Sequence, residues 1–209
     1  GLKILSRRKD GFHNIDSFFI PIPIFDILEI QLQKKTKNTI VTYSGINTDF
    51  IKNDLVVKAY NLLKKDFSLM PIKIHLHKNI PLGSGLGGGS SDAAFMLILL
   101  NDFFSLKLNR TELLSYSKIL GSDCSFFIIN NFSHVSGVGD IVDPINFSFK
   151  GYFAVVFKPQ IHCSTQDVFS RYKLNKKSIE LMNFDSDSSI WKKTITNDLE
   201  SVAFERYPE

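Results

Sequence analysis

Cysteine is scarce. The 209 residues hold only Cys124 and Cys163, in neither a C-x-x-C nor a histidine-spaced arrangement. That excludes a disulfide scaffold and a zinc module and leaves two buried free thiols as the expectation, with no metal site. Long apolar runs are missing too. The longest, Ala93–Leu100, is far too short to cross a bilayer, and the start lacks the basic-then-apolar layout of a signal peptide. A cytoplasmic protein with no membrane partner is expected. Neither sign of charge dominates: the net +4 is spread over small clusters at Arg7–Lys9, Lys34–Lys37 and Lys64–Lys65, so polyanions are permitted but not demanded. The chain opens on Gly1 rather than methionine, and Tyr207-Pro208-Glu209 follows a helix-like run without closure, which reads as a fragment.

With 44% hydrophobic residues there is ample material for a core, in one large domain or two small ones. Ile27–Gln33 alternates as a half-buried strand, with Thr39–Ser44 as its expected hairpin partner. Asn53 reads as the cap of an amphipathic helix to about Phe67, with Leu55, Val56, Ala59, Leu62 and Leu63 inward. Ile72–Lys78 alternates again, and Ser90–Phe104 is apolar on nearly every side, like a central buried helix. Asn109 and Glu112 form a capping-box pattern for a helix to about Leu120. Phe126–Ile129, Ser133–Ser136 and Tyr152–Phe157 read as strands, Asp143-Pro144 as a turn near a domain boundary, Asn183–Ser189 as a loop and Trp191–Arg206 as mostly helix. Hairpin-like pairs outnumber strand–helix alternations, so the fold expected is α+β with mostly antiparallel sheet.

Between the strand Ile72–Lys78 and the apolar helix lies Pro81–Ala94, PLGSGLGGGSSDAA, with glycine at 83, 85, 87, 88 and 89. Backbone N–H groups can surround a phosphate only where no side chain blocks it, and glycine allows the φ > 0 conformations that aim successive amides inward. The free amides and dipole of the following helix add to the attraction. Pro81, Leu82, Gly83, Ser84, Gly85, Leu86, Gly87, Gly88, Gly89, Ser90 and Ser91 are therefore candidate ligands of a di- or triphosphate. Asp92 would oppose phosphate, so it is expected to turn away and stabilise the turn. Gly83, Gly85 and Gly88 also satisfy G-x-G-x-x-G, but the acidic residue that a dinucleotide fold needs on a second parallel strand is missing. No Gly-Lys-Ser/Thr ends the loop, which excludes a P-loop.

Other residues carry two readings each. Asp123, in a turn after Gly121, suits a base that takes a proton from an attacking alcohol, or equally an exposed turn aspartate. Phe12 and His13 follow Asp10-Gly11, a tight turn that could offer a ring and an imidazole to a nucleobase; taken alone, Phe12 reads as core and His13 as surface. His75 and His77 share a strand face without a third metal ligand, which favours a solvated face.

PLGSGLGGGSSDAA resembles the ATP-binding motif of the GHMP kinases, which include galactokinase, homoserine kinase and mevalonate kinase. The GGGSSDAA spelling is similar to one branch, whose acceptor is a methylerythritol linked to cytidine diphosphate. RRKDGFHNIDS at Arg7–Ser17 resembles that branch's R-R-x-D-G-Y-H-x-I/L, LGSDCSFF at Leu120–Phe127 its L-G-A-D-V-P-F-F, and NDLESVAFER at Asn197–Arg206 its N-D-L-E-x-x-A. The resemblance spans nearly the whole chain. It implies a two-domain α+β fold, with an ATP-binding domain over 1–146 and the start of a second over 147–209.

It also implies ATP and Mg²⁺ as cofactors, and phosphorylation of a 2-hydroxyl on a small molecule carrying cytidine diphosphate, in isoprenoid synthesis. By the same resemblance Asp123 is the base, and Phe12, His13, Thr165 and Phe169 grip the cytidine. For Thr165 and Phe169, in CSTQDVF, a helix cap and a core ring remain equally open. Phe12 stands where tyrosine is commoner. The family's opening P-A-K-I/L-N-L-x-L is matched only by its end, so its catalytic lysine would fall just before Gly1, and Lys3 is not that residue. A GHMP kinase for another alcohol such as homoserine is the nearest rival. An RNA-binding module is the rival of another class, because the family's N-terminal fold is shared with ribosomal proteins. The main reading involves no nucleic acid and leaves the oligomeric state open.

Overall fold

The computed structural model describes residues 1–34, 38–46, 54–159, 161, 163–174 and 184–208. Its strands are β1 (Leu2–Arg7), β2 (His13–Phe19), β3 (Ile27–Leu32), β4 (Ile40–Gly45), β5 (Ile72–Lys78), β6 (Ser133–Gly137) and β7 (Ile141–Pro144). Its helices are α1 (Leu55–Asp66), α2 (Gly88–Phe103), α3 (Arg110–Leu120), α4 (Cys124–Ile129), α5 (Thr165–Arg171), α6 (Ser188–Thr194) and α7 (Glu200–Arg206). The fold is α+β, and the chain divides into two compact units, Pro23–Ile128 and the two segments Gly1–Ile22 and Ile129–Glu209 that flank it.

In Pro23–Ile128 the alternation of β5 sends Ile72, Ile74, Leu76 and Lys78 to the buried side and Lys73, His75 and His77 to the other. Val56, Ala59, Tyr60 and Leu63 of α1 and Ala94, Met96, Leu97 and Leu100 of α2 cover that buried side and form the core with it. Burying each large apolar side chain contributes about 1.5–3 kcal/mol. The sheet order is β3-β5-β4, so the hairpin expected between Ile27–Gln33 and Thr39–Ser44 is absent. β5 lies between the two, antiparallel to β3 and parallel to β4. Because α1 connects β4 to β5, the pair is a strand–helix–strand crossover, and crossovers make parallel neighbours.

Caps settle the helix ends. Asp54 begins α1, its carboxylate accepting from the Val56 amide at 2.7 Å and from the Tyr43 hydroxyl at 2.6 Å; Asn53 lies outside the described residues. The Asn109–Glu112 capping box forms at α3, with bonds of 2.8 and 3.0 Å. Asn109→Ala is expected to lower unfolding stability by about 1 kcal/mol, read as a drop in denaturation midpoint with an unchanged slope.

Several expectations are corrected. Phe126–Ile129 belongs to helix α4, since a four-residue apolar run fits either period and here Cys124, Ser125, Phe126 and Ile128 are buried together. Tyr152–Phe157 forms no strand; no partner strand among the described residues takes up its backbone groups, and Phe153, Val155 and Phe157 are 96%, 94% and 87% exposed. Asp143-Pro144 sits in β7 rather than in a turn, paired with His134 and Ser133 on an edge strand where proline is tolerated. Loop residues 184–187 lead into α6, which starts at Ser188, and Ile195–Leu199 separates it from α7. Of the cysteines only Cys124 is buried; Cys163 is exposed.

The flanking segments build a sheet of order β1-β2-β6-β7, antiparallel throughout. The stretch after α6 adds to its first edge, through Leu2 bridging Asn197 and the Lys3 ammonium bonding Asp198 at 2.8 Å and Thr196 at 2.6 Å. Phe18, Phe132, Phe147, Phe149, Phe184 and Trp191 form an aromatic cluster in this unit, with ring centroids 4.7–6.2 Å apart for most neighbours.

Candidate active site

The glycine stretch turns back on itself by alternating hand. Gly83, Gly85 and Gly87 have φ of 66°, 75° and 70°, conformations that aim neighbouring amides toward one side. The turn satisfies little of itself: Ser84 donates to the Pro81 carbonyl at 3.3 Å and the Leu86 amide to the Ser84 hydroxyl at 3.3 Å. Helix α2 begins at Gly88, two residues earlier than its apolar pattern suggested, so two glycines lie in its first turn. Its first internal bond runs from Ser91 N to Gly87 O at 2.8 Å. The amides of Gly88, Gly89 and Ser90 thus have no acceptor one turn back, and they stand at the positive end of a 16-residue helix.

The walls are close. A Cβ at Gly87 would lie 2.9 Å from the Phe127 ring, and one at Gly88 would lie 2.9 Å from Ile80 Cγ2 and 3.5 Å from Lys78 Nζ. Gly87 is needed for approach as well as for conformation, Gly88 for approach alone. Phe127 belongs to α4, and the same helix presents the Cys124 thiol, which hydrogen-bonds Ser90. Burial first, and then the charge of Asp123, push that thiol up to about 11, so it stays protonated.

Asp123 stands immediately before α4, in the turn after α3, half-buried, with Ser122 Oγ 3.4 Å from Oδ1. Burial raises its pKa above the ordinary carboxylate value, against a smaller opposing effect of the Ser122 bond. A carboxylate that burial has made more basic can accept a proton from a hydroxyl.

Beneath the turn is a group that the sequence reading missed. The Lys78 ammonium, at the inner end of β5, bonds the carboxylates of both Asp26 and Asp92, the latter at 2.6 Å. All three side chains are at most 7% exposed. The other oxygen of Asp26 accepts from the amides of Asn79 and Ile80 at 2.6 and 2.8 Å, which fixes the chain just as it enters the turn. Asp92 turns away from the amides as expected, but in the second turn of α2 and onto Lys78. The signal was in the sequence: the period of IKIHLHK puts Lys78 among the inward positions, where a cation needs partners.

In the other unit, His13 opens β2 and is buried, with its ring 5.4 Å from that of Phe169 at a tilt of 37°. Burial, then the charge of Arg7, lower the His13 pKa, so the imidazole is neutral and keeps both a donor and an acceptor. Phe12 is 60% exposed, not core. Its turn is held by Asp10, which accepts from the Phe12 amide at 3.1 Å. Phe169 and Thr165 both belong to α5, where Ser164 is the cap and Thr165 is exposed as the first helical residue. His75 and His77 are not freely solvated: Ser44 Oγ contacts both rings at 2.9 and 2.8 Å, and Thr42 Oγ1 lies 2.9 Å from His75. Among the described residues no three His, Cys, Asp or Glu side chains converge as a metal site.

Residues 54–131, which contain the glycine turn and Asp123, match the family model described as GHMP kinases N terminal domain. The whole chain is 44% identical to a 4-diphosphocytidyl-2-C-methyl-D-erythritol kinase of Bacteroides fragilis, covering 77% of that protein. It is 41% identical to the enzyme of the same name from Cytophaga hutchinsonii, again over 77% of that relative. Among solved structures, a crystal structure of 4-(cytidine 5'-diphospho)-2C-methyl-D-erythritol kinase aligns with TM-score 0.76 at 25% identity, over 100% of this chain and 75% of that one. A homoserine kinase from Cytophaga hutchinsonii aligns at 0.54 and 17% identity, over 81% of this chain and 55% of that one, which speaks to the fold alone.

Proposed function

Because the chain belongs to the GHMP kinases, in the branch of the 4-diphosphocytidyl-2-C-methyl-D-erythritol kinases, we propose that it transfers the γ-phosphoryl group of ATP to the 2-hydroxyl of that cytidine diphosphate-linked substrate. One observation carries the reading at the level of chemistry: positive-φ glycines at 83, 85 and 87 shape the turn that leads into α2, and α4, which Asp123 introduces, packs against it through Phe127. The amides hold the phosphates. Asp123 takes the hydroxyl proton while that oxygen attacks the γ-phosphorus and the bridging P–O bond breaks to release ADP. Mg²⁺ is part of the proposal as the companion of ATP, where it would neutralise charge on the phosphates, and no residue of this chain is assigned to it.

His13, Phe12, Phe169 and Thr165 are proposed to bind the cytidine. The contact of His13 with Phe169 and the exposure of the Phe12 ring support a stacking and edge-reading role. Residues 1–146 are proposed as the ATP-binding half and 147–209 as the start of a second, whereas the compact units of the structure break the chain after Ile22 and after Ile128. A cytoplasmic place for the reaction belongs to the same reading.

The test is phosphoryl transfer from Mg-ATP to each of two alcohols, followed by phosphorus NMR. Transfer to the cytidine diphosphate-linked methylerythritol with little to homoserine is expected. The reverse preference would replace the substrate, and salt-sensitive RNA binding without ATP affinity would replace the function. Phe169→Ala is expected to raise KM for the cytidine substrate by roughly tenfold to a hundredfold, as the loss of about 1–3 kcal/mol of stacking predicts, with KM for ATP unchanged.

A further inference from the structure

We propose that Lys78, Asp26 and Asp92 are positioning residues that hold the phosphate-binding turn in shape from beneath, and that this buried group takes up one proton when a nucleoside triphosphate fills the turn. The inference rests on the functional reading above and assigns a role to side chains outside the amide-lined surface.

The geometry makes the group a brace. Lys78 ends the strand before the turn, Asp92 belongs to the helix after it, and one ammonium joins them while Asp26 also holds the amides of residues 79 and 80. The ammonium lies under Gly88, 3.5 Å from where a Cβ would stand, so the cation and the first helical amides share one small volume. Both ends of the turn are thereby pinned to a single point.

The charge count supplies the proton. Two carboxylates facing one ammonium leave the group one negative charge in excess, buried under a site for a polyanion. A bound triphosphate raises the cost of that excess, and a proton from solvent on Asp92 removes it without breaking the brace, because a protonated carboxyl still accepts from Lys78. Burial pushes the Asp92 carboxyl up to about 7, against the pull of Lys78 and with a further push from Asp26. Burial opposes the Lys78 charge, but the bonds to Asp26 and Asp92 outweigh it and hold its pKa above the free value. The helices around α2 bury few ionisable groups: α1 buries Tyr60 with Val56, Ala59 and Leu63, and α3 buries Leu113 and Ser117, while α4 and its preceding turn bring Cys124 and Asp123. Among the described residues of these elements Asp123 is the competing carboxyl, and the test must separate it.

Mg-ATP binding, measured calorimetrically from pH 6 to 9 in buffers of different ionisation heat, reads the proton directly. The unaltered protein is expected to absorb a substantial fraction of a proton at pH 7.5, and its Kd to rise about tenfold between pH 6 and 9 if ATP lifts the Asp92 pKa by about one unit. The sign follows from a raised acid pKa: the proton-bound form favours ATP, so affinity is full at low pH and lost as pH rises through that pKa. Asp92→Asn keeps an acceptor for Lys78 and should give a flat profile with no uptake, whereas Asp123→Asn should keep both. Binding by the unaltered protein without proton uptake would overturn the proposal whether or not any variant folds, as would uptake that survives in Asp92→Asn or vanishes in Asp123→Asn. For the positioning role, Lys78→Met is expected to raise KM for ATP at least tenfold with KM for the alcohol unchanged; equal effects on both would reduce the group to general stability. No ATP binding by the unaltered protein would overturn the kinase reading and this inference with it.

Discussion

Asp123→Asn is expected to fold, to bind Mg-ATP with unchanged affinity, and to transfer phosphoryl groups about 10²- to 10⁴-fold more slowly, the range for loss of a positioned general base. The structure separates these effects. Among the described residues the carboxylate's one side-chain hydrogen bond is the long Ser122 contact at 3.4 Å, so little hydrogen bonding depends on it. Burial disfavours its charge, so the neutral amide relieves a cost and the melting temperature should hold or rise. A base must be ionised to act, and this one has a raised pKa. The acid limb of the kcat profile should therefore lie above the range of a free carboxylate, with activity gained as pH rises through it, and should vanish in the variant. Single-turnover rates with ATP binding measured alongside would check each part; turnover equal to that of the unaltered protein removes Asp123 from the reaction.

The second large effect is expected at Gly87. Its φ of +70° is costly for any side chain and most so for a β-branched one, and its Cβ would meet the Phe127 ring at 2.9 Å. Gly87→Val should destabilise the protein by roughly 2–5 kcal/mol, from backbone strain together with overpacking. It should also weaken ATP binding at least tenfold, because the amides of the turn and of Gly88 are displaced together. Gly85 is the control. Its φ is similar, at +75°, yet nothing stands within 4 Å of a Cβ there, and asparagine tolerates that conformation. Gly85→Asn should therefore cost less than about 1 kcal/mol of stability; denaturant titrations of the two variants side by side check the contrast.

Much of this was legible in the sequence, for a definable reason. Period and capping are local properties, so β5, the body of α2 and the Asn109–Glu112 box could be read from the residues that form them. Pairing is not local. Nothing in ILEIQLQ or TIVTYS says that a strand thirty residues later will come between them, and the hairpin expectation failed there. Phe126–Ile129 failed because four apolar residues carry no phase, and Tyr152–Phe157 because a strand exists only where a partner takes its hydrogen bonds. At the site, glycine spacing announced the turn and a motif pointed to Asp123, whereas the contact of His13 with Phe169 joins residues far apart in sequence and could be reached only through family likeness. Lys78 was readable and passed over: a lysine on the inward side of an alternating strand implies a buried counter-charge, but which carboxylates supply it depends on the turn before β3 and the second turn of α2.

The middle unit interrupts the outer one, and this has a consequence for how the polypeptide comes to be folded. The ladder between β2 and β6 cannot form until everything from Pro23 to Ile128 has been made, and closing so long a loop while it is slack is entropically unfavourable. If the interrupting segment collapses first, around the crossover that carries β4 into β5, the ends to be joined are already tethered by a compact body and the remaining search is short. During synthesis the outer strands therefore wait with one edge unsatisfied, and damage to the core between α1 and α2 would appear first as failure of a sheet that contains neither helix.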